Sequence, residues 1–102
     1  MEWYRYFSAF LAGGFLANAV PHFVQGISGN RFPTPFSRPH GKGLSSPTLN
    51  VIWALLNLLA GYSFCRFAGL PSRNILSFLL FFAGVVGISI YLSKRMAKKD
   101  KE

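Results

Sequence analysis

The chain has 102 residues, 51% of them hydrophobic and 14% charged, with a formal net charge of +8. That length holds one domain, and the charged fraction lies well under the roughly 25% of a soluble globular chain. The acids are Glu2, Asp100 and Glu102, all at the ends, which argues against carboxylate acid–base chemistry and carboxylate metal sites. The lone Cys65 excludes an internal disulfide or a Cys-based metal cluster and reads as a small apolar helix residue.

Three stretches carry no Lys, Arg, Asp or Glu: Tyr6 to Asn30, Gly43 to Cys65 and Asn74 to Ser93. About 20 apolar residues rising 1.5 Å each cross a hydrocarbon core of roughly 30 Å. The pattern predicts an all-α membrane protein of three transmembrane helices forming a single domain over 1–102. The spans fall at about 4–25, 48–67 and 74–93. A Pro/Gly-rich loop occupies 27–47, and a basic C-terminal tail 94–102.

The first span opens on Trp3, Tyr4 and Tyr6, residues suited to the membrane interface. Ala17-Asn18-Ala19 after a short apolar run also matches a signal-peptidase site. The segment before it is only weakly positive, because Glu2 offsets Arg5, and an uncleaved first span is the preferred reading. Ala9, Gly13 and Ala17 recur every four residues, a small-residue stripe that admits another helix closely. Gly14, Asn18, His22 and Gln25 share a second face by helical spacing. Pro21 removes a backbone donor and frees the Ala17 carbonyl, so a kink is expected beside Asn18.

His22 is the imidazole within a span, and an intramembrane ionisable group is a functional candidate. It suits an axial haem ligand, a proton relay or a quinone contact, although bis-His haem ligation would need a second copy of the chain. The structural alternative has it bonding the freed Ala17 carbonyl or Asn57, and that reading is favoured. No cofactor is predicted.

From Ile27 to Pro47 the chain is punctuated by Gly29, Gly41 and Gly43 and by Pro33, Pro35, Pro39 and Pro47. A connection of about twenty residues exceeds what two helices need, and Phe32 and Phe36 argue for partial order near the headgroups. His40-Gly41-Lys42-Gly43-Leu44-Ser45-Ser46 lacks the full pattern of a phosphate-binding loop, but Arg31, Arg38 and Lys42 suit lipid phosphates. Ser45-Ser46-Pro47 starts the second span, with Pro47 in its first turn. That span places Asn50, Ala54, Asn57 and Gly61 on one face, and its amides are candidates to join helices. Gly69-Leu70-Pro71-Ser72 is a tight reversal that sends the third span back antiparallel beside the second. The third span offers one small-residue pair, Ala83 and Gly87.

Five of the eleven basic residues, Lys94, Arg95, Lys98, Lys99 and Lys101, follow the last apolar run. There they meet anionic headgroups; a nucleic-acid surface would spread them over a soluble face. The N-terminal side shares Arg5, Arg66 and Arg73, whereas the loop side holds Arg31, Arg38 and Lys42 plus the five of the tail. Eight basic residues against three place the N-terminus outside and the C-terminus in the cytoplasm.

The motif N-A-V-P-H-F-V-Q-G-I-S-G from Asn18, followed by Thr34-Pro35-Phe36 and then Asn50-Val51-Ile52-Trp53, resembles a group of small multi-pass membrane proteins of bacteria. The resemblance covers the first two spans and their loop. It implies a bacterial inner membrane and no activity. Three kinds of function remain open. One is a non-enzymatic accessory subunit or oligomer; the others are a haem- or quinone-binding redox subunit using His22, and a small oligomeric transporter lined by Asn18, His22 and Asn57.

Overall fold

The computed structural model describes residues 3–37, 43–71 and 74–98. Three helices account for most of them: α1 over Trp3–Ile27, α2 over Pro47–Ala68 and α3 over Ile75–Met96. The described residues contain no strand. Each helix is long and apolar enough to cross a membrane, with mean hydropathy of 1.4, 1.4 and 2.4 in chain order. The long axis of 45 Å matches a bilayer with its headgroup regions, about 40–45 Å.

Burial runs opposite to that of a soluble bundle. The buried positions of the helices are small or polar: Ser8, Ala9, Ala12, Gly13, Ala19, His22 and Gly26 in α1, Asn50, Ala54, Asn57, Gly61 and Ala68 in α2, Ser77 and Gly84 in α3. Large apolar side chains point outward, among them Leu59 at 64% and Phe82 at 63% exposed. Water would penalise that surface heavily, at about 25 cal/mol per Å². Lipid does not, and helix association then rests on close packing and hydrogen bonds.

The helix ends follow local chemistry. Ser46 caps α2, its hydroxyl accepting from the Leu49 amide at 3.1 Å, with Pro47 in the first turn. Gly69 ends α2 in the left-handed conformation (φ 78°), donating to Arg66 while Leu70 donates to Cys65, a closure that a residue with a Cβ would strain. Asn74 caps α3 through the Leu76 amide and also donates to the Tyr6 hydroxyl at 2.9 Å. The third helix runs one turn beyond the expected 93, so Lys94 and Arg95 belong to α3 and not to a tail.

Two expectations about packing are corrected. The third span was expected beside the second, but α1 is the central helix: α2 and α3 both pack on it and scarcely touch one another. The cause lies in side-chain size. The outer face of α2 carries Leu55, Leu59 and Tyr62, all exposed, and offers no groove. On α1, by contrast, Gly13 sits so close to α3 that an added Cβ would collide with the Phe81 carbonyl, and one on Gly84 would collide with that of Phe10. The small residue that admits α1 is therefore Gly84, whereas Ala83 and Gly87 are exposed. Pro21 does not divide α1, which is helical through Ile27.

Helix α2 lies antiparallel to α1. A Cβ on Gly61 would be 2.5 Å from Leu16, and one on Gly26 would be 2.9 Å from the Pro47 carbonyl. Tyr4 and Phe67 pack at 5.3 Å at the opposite end. The start of α1 and the α2–α3 turn thus share one end of the bundle, and the loop and the end of α3 share the other.

Candidate functional site: a polar cluster beneath the loop

The loop is tied off at its neck. Phe32 and Ser45 exchange backbone hydrogen bonds as an antiparallel bridge, at 3.2 and 2.9 Å. The Thr34 and Ser45 hydroxyls lie 2.6 Å apart, and the Ser37 hydroxyl donates to the Thr34 carbonyl at 2.8 Å. The Phe36 amide donates to the Thr34 hydroxyl, a local turn of the kind Ser and Thr favour before Pro and Phe. Phe32, Thr34, Ser37 and Ser45 are all buried.

Asn50 holds this neck from below. It is fully buried, and its amide nitrogen donates to the carbonyls of Phe32 at 2.8 Å, Ser46 at 3.0 Å and Ser45 at 3.3 Å. Three carbonyls around one atom identify it as the nitrogen, so the Asn50 oxygen faces His22. The His22–Asn50 contact is 2.8 Å through Nδ1, and Nδ1 must therefore carry the proton and donate. Nε2 has no partner among the described residues, although the imidazole is only 3% exposed. No sealed side-chain nitrogen or oxygen there lacks a partner, so Nε2 opens onto the cleft that His22 lines. Phe32 packs edge-on against the imidazole at 5.4 Å.

One turn deeper, Asn18 donates to the Asn57 oxygen at 3.0 Å, and Asn57 donates to the Trp53 carbonyl at 2.8 Å. His22 bonds neither the Ala17 carbonyl nor Asn57, contrary to both structural expectations, because the antiparallel register brings Asn50 opposite it and leaves Asn57 to Asn18.

The cluster faces a cleft of about 250 Å³ at the loop end, lined by Asn18, His22, Thr34, Trp53, Tyr91 and Arg95 among others. The cleft shares Asn18 and Trp53 with a groove of about 460 Å³ that is also lined by Gly14 of α1, Asn57 of α2, and Gly87 and Ile88 of α3. A Cβ on Gly14 or on Gly87 would meet nothing within 4 Å. Arg95 donates to the Tyr91 hydroxyl and lies 5.9 Å from its ring. Arg66 and Tyr62 repeat this pair at the opposite end, at 3.0 and 6.0 Å. Such aromatic–basic pairs suit the two membrane interfaces.

Of the residues singled out from the sequence, Asn18, His22, Asn50 and Asn57 converge as two pairs. Gly13 lies apart, at the crossing with α3. Gly14 lines the groove on the side where a Cβ would meet nothing within 4 Å, while its backbone nitrogen lies against Gly84. Pro21 lines a separate apolar groove between α1 and α3 with Val20, Phe32 and Met96. Gln25 accepts from the Asn30 amide at 2.9 Å, closing the exposed turn after α1. Arg31 reaches the Leu44 carbonyl at 3.4 Å, and Lys94 and Lys98 are exposed. Arg38, Lys42 and Lys99 lie outside the described residues, as does His40. Sequence reasoning missed Thr34, Ser37 and Ser45 as buried members and Tyr91 as a partner of Arg95. The i, i+4 spacing of Tyr91 and Arg95, like that of Tyr62 and Arg66, was the available signal. No group of His, Cys, Asp and Glu among the described residues is arranged to hold a metal ion.

Fold and cluster together define an all-helical, multi-pass membrane protein whose intramembrane polar groups join α1, α2 and the loop. No protein family model, curated protein or solved structure matches the chain.

Proposed function

We propose that the protein is a non-catalytic, multi-pass resident of the bacterial inner membrane, an accessory subunit that works as a homo-oligomer or within a larger membrane complex. The observation that carries this reading is the pairing of the intramembrane polar side chains with one another. Asn18 donates to Asn57 and His22 to Asn50, bonds that join helix to helix, and Asn50 donates on to the loop, each contact contributing about 0.6–2 kcal/mol. Among the described residues, no hydroxyl is hydrogen-bonded to His22. The outer faces of α2 and α3 remain uncovered and long enough for a partner helix. The motif around Pro21 and His22 supports the bacterial assignment, and the eight basic residues of the loop side support a cytoplasmic C-terminus.

Crosslinking in native membranes, followed by blue native electrophoresis, tests the reading. A discrete species larger than one chain is expected, with no visible absorption from the purified protein. A second reading, a redox subunit with haem or quinone at His22, draws on the opening of Nε2 to the cleft. A Soret band lost on His22→Asn would replace the accessory reading with that one.

A further inference from the structure

We propose that the cleft and the groove below it form one binding site for an anionic phospholipid whose headgroup carries free hydroxyls. The site has three chemically distinct parts in the order such a molecule needs them. At the mouth stands Arg95, in the last turn of α3; no described acid neutralises it, since the acids are Glu2, Asp100 and Glu102. A guanidinium at interfacial depth suits a phosphodiester.

Behind it, the cleft offers acceptors. With Nδ1 committed as a donor to Asn50, the His22 imidazole leaves Nε2 as a bare acceptor in a half-open cleft. The Asn18 oxygen has no partner among the described residues either, because Asn18 uses its nitrogen on Asn57. Two residues with a spare acceptor lining one cleft favour a ligand bearing hydroxyl donors. A ligand with only acceptors would leave both unpaired, at a cost that gives a polar site its selectivity.

Below the acceptors, the groove is apolar and open along α1. Gly14 and Gly87 line it from facing helices, and a Cβ on either would meet nothing within 4 Å. Elsewhere in this bundle glycines mark backbone contact, as at Gly13, Gly26, Gly61 and Gly84. At Gly14 and Gly87 the space remains, and an acyl chain fills it. The groove, at about 460 Å³, lies within the range of about 300–1,000 Å³ usual for small-molecule sites. A lone chain has the whole site, so the proposal does not rest on the accessory reading.

The test is native mass spectrometry of the monodisperse full chain in detergent, titrated with three lipids of identical acyl chains. Phosphatidylglycerol carries the phosphodiester and hydroxyls, phosphatidylethanol the phosphodiester alone, and phosphatidylcholine neither net charge nor hydroxyls. Phosphatidylglycerol is expected to bind about tenfold more tightly than phosphatidylethanol, and that lipid more tightly than phosphatidylcholine. His22→Asn retains a donor toward Asn50 but loses Nε2, and should erase the first preference. Arg95→Gln should erase the second. Gly14→Leu should weaken all three lipids at least about fivefold with the lipid-free melting temperature unchanged; Gly87→Leu repeats this from the facing wall should the first variant misfold. Equal binding of phosphatidylglycerol and phosphatidylethanol overturns the hydroxyl contact. Equal binding of all three, or indifference to both filled-groove variants, marks the lipid as annular and overturns the site.

Discussion

His22 and Asn50 differ in what each holds. Replacing His22 by Leu leaves one acceptor of Asn50 unpaired while the three bonds to the loop survive. A loss of about 1–3 kcal/mol is expected on unfolding in detergent. Asn is the better mimic than Gln, because its amide nitrogen sits where Nδ1 does. Asn50→Leu removes the two N–H donors that the three carbonyls share and leaves the His22 Nδ1–H without its acceptor, and should cost roughly 2–4 kcal/mol. The two variants should also differ in kind. With Asn50→Leu, trypsin should cut at the exposed Arg31 faster in otherwise folded protein, whereas His22→Leu should leave that rate near the parent's. Equal cleavage in both would mean the bridge between Phe32 and Ser45 holds the neck without Asn50. Pro21→Ala is not expected to rescue His22→Leu, since the imidazole does not serve the Ala17 carbonyl.

Among the helices, α1 meets its two partners through different small residues. Gly13 and Gly84 interlock α1 with α3, and Gly26 and Gly61 bring α2 close. Gly13→Leu and Gly84→Leu should each separate α3 from α1, seen as lowered abundance and loss of the folded band after mild detergent extraction. Leu79→Phe, on an outward face at 57% exposure, should be neutral, and so should Gly87→Ala. Parent-like behaviour of Gly13→Leu would place that stripe against lipid. Much at this scale was legible in the sequence. Asn50, Ala54, Asn57 and Gly61 lie on one face by spacing alone, Ser46 and Pro47 announce the start of α2, and Gly69 its end. The partner of α3 was not legible, because a tight turn dictates direction but not which neighbour has room. The pairing of His22 with Asn50 was equally hidden, since it depends on the register that the loop imposes on α1 and α2. Thr34 and Ser45 look like ordinary loop residues until the neck closes.

At the scale of the molecule, small and polar groups inside with Leu, Phe and Ile outside leave lipid as the fitting solvent. The loop and the end of α3 share one end of the bundle, and Arg5 and Arg66 share the other. On the proposed orientation, a fluorescent fusion at Glu102 should be bright in a bacterial cytoplasm, and a reporter active only in the periplasm should be silent there. The reverse pattern, or a mature chain beginning at Val20, would invert the orientation or remove α1 from the final protein.

The central place of α1 bears on the order in which the protein can be made. Both polar pairs lie between α1 and α2, and the loop that Asn50 ties is the segment joining them. Once the second helix has left the ribosome, every partner of His22, Asn18 and Asn57 has been synthesised. The hairpin can leave the translocon with those pairs already formed, and α3, which contributes no hydrogen bond to them among the described residues, can join afterwards by seating Gly84 against Phe10 and Gly14. Insertion can proceed in two stages, with the costly polar groups settled in the first.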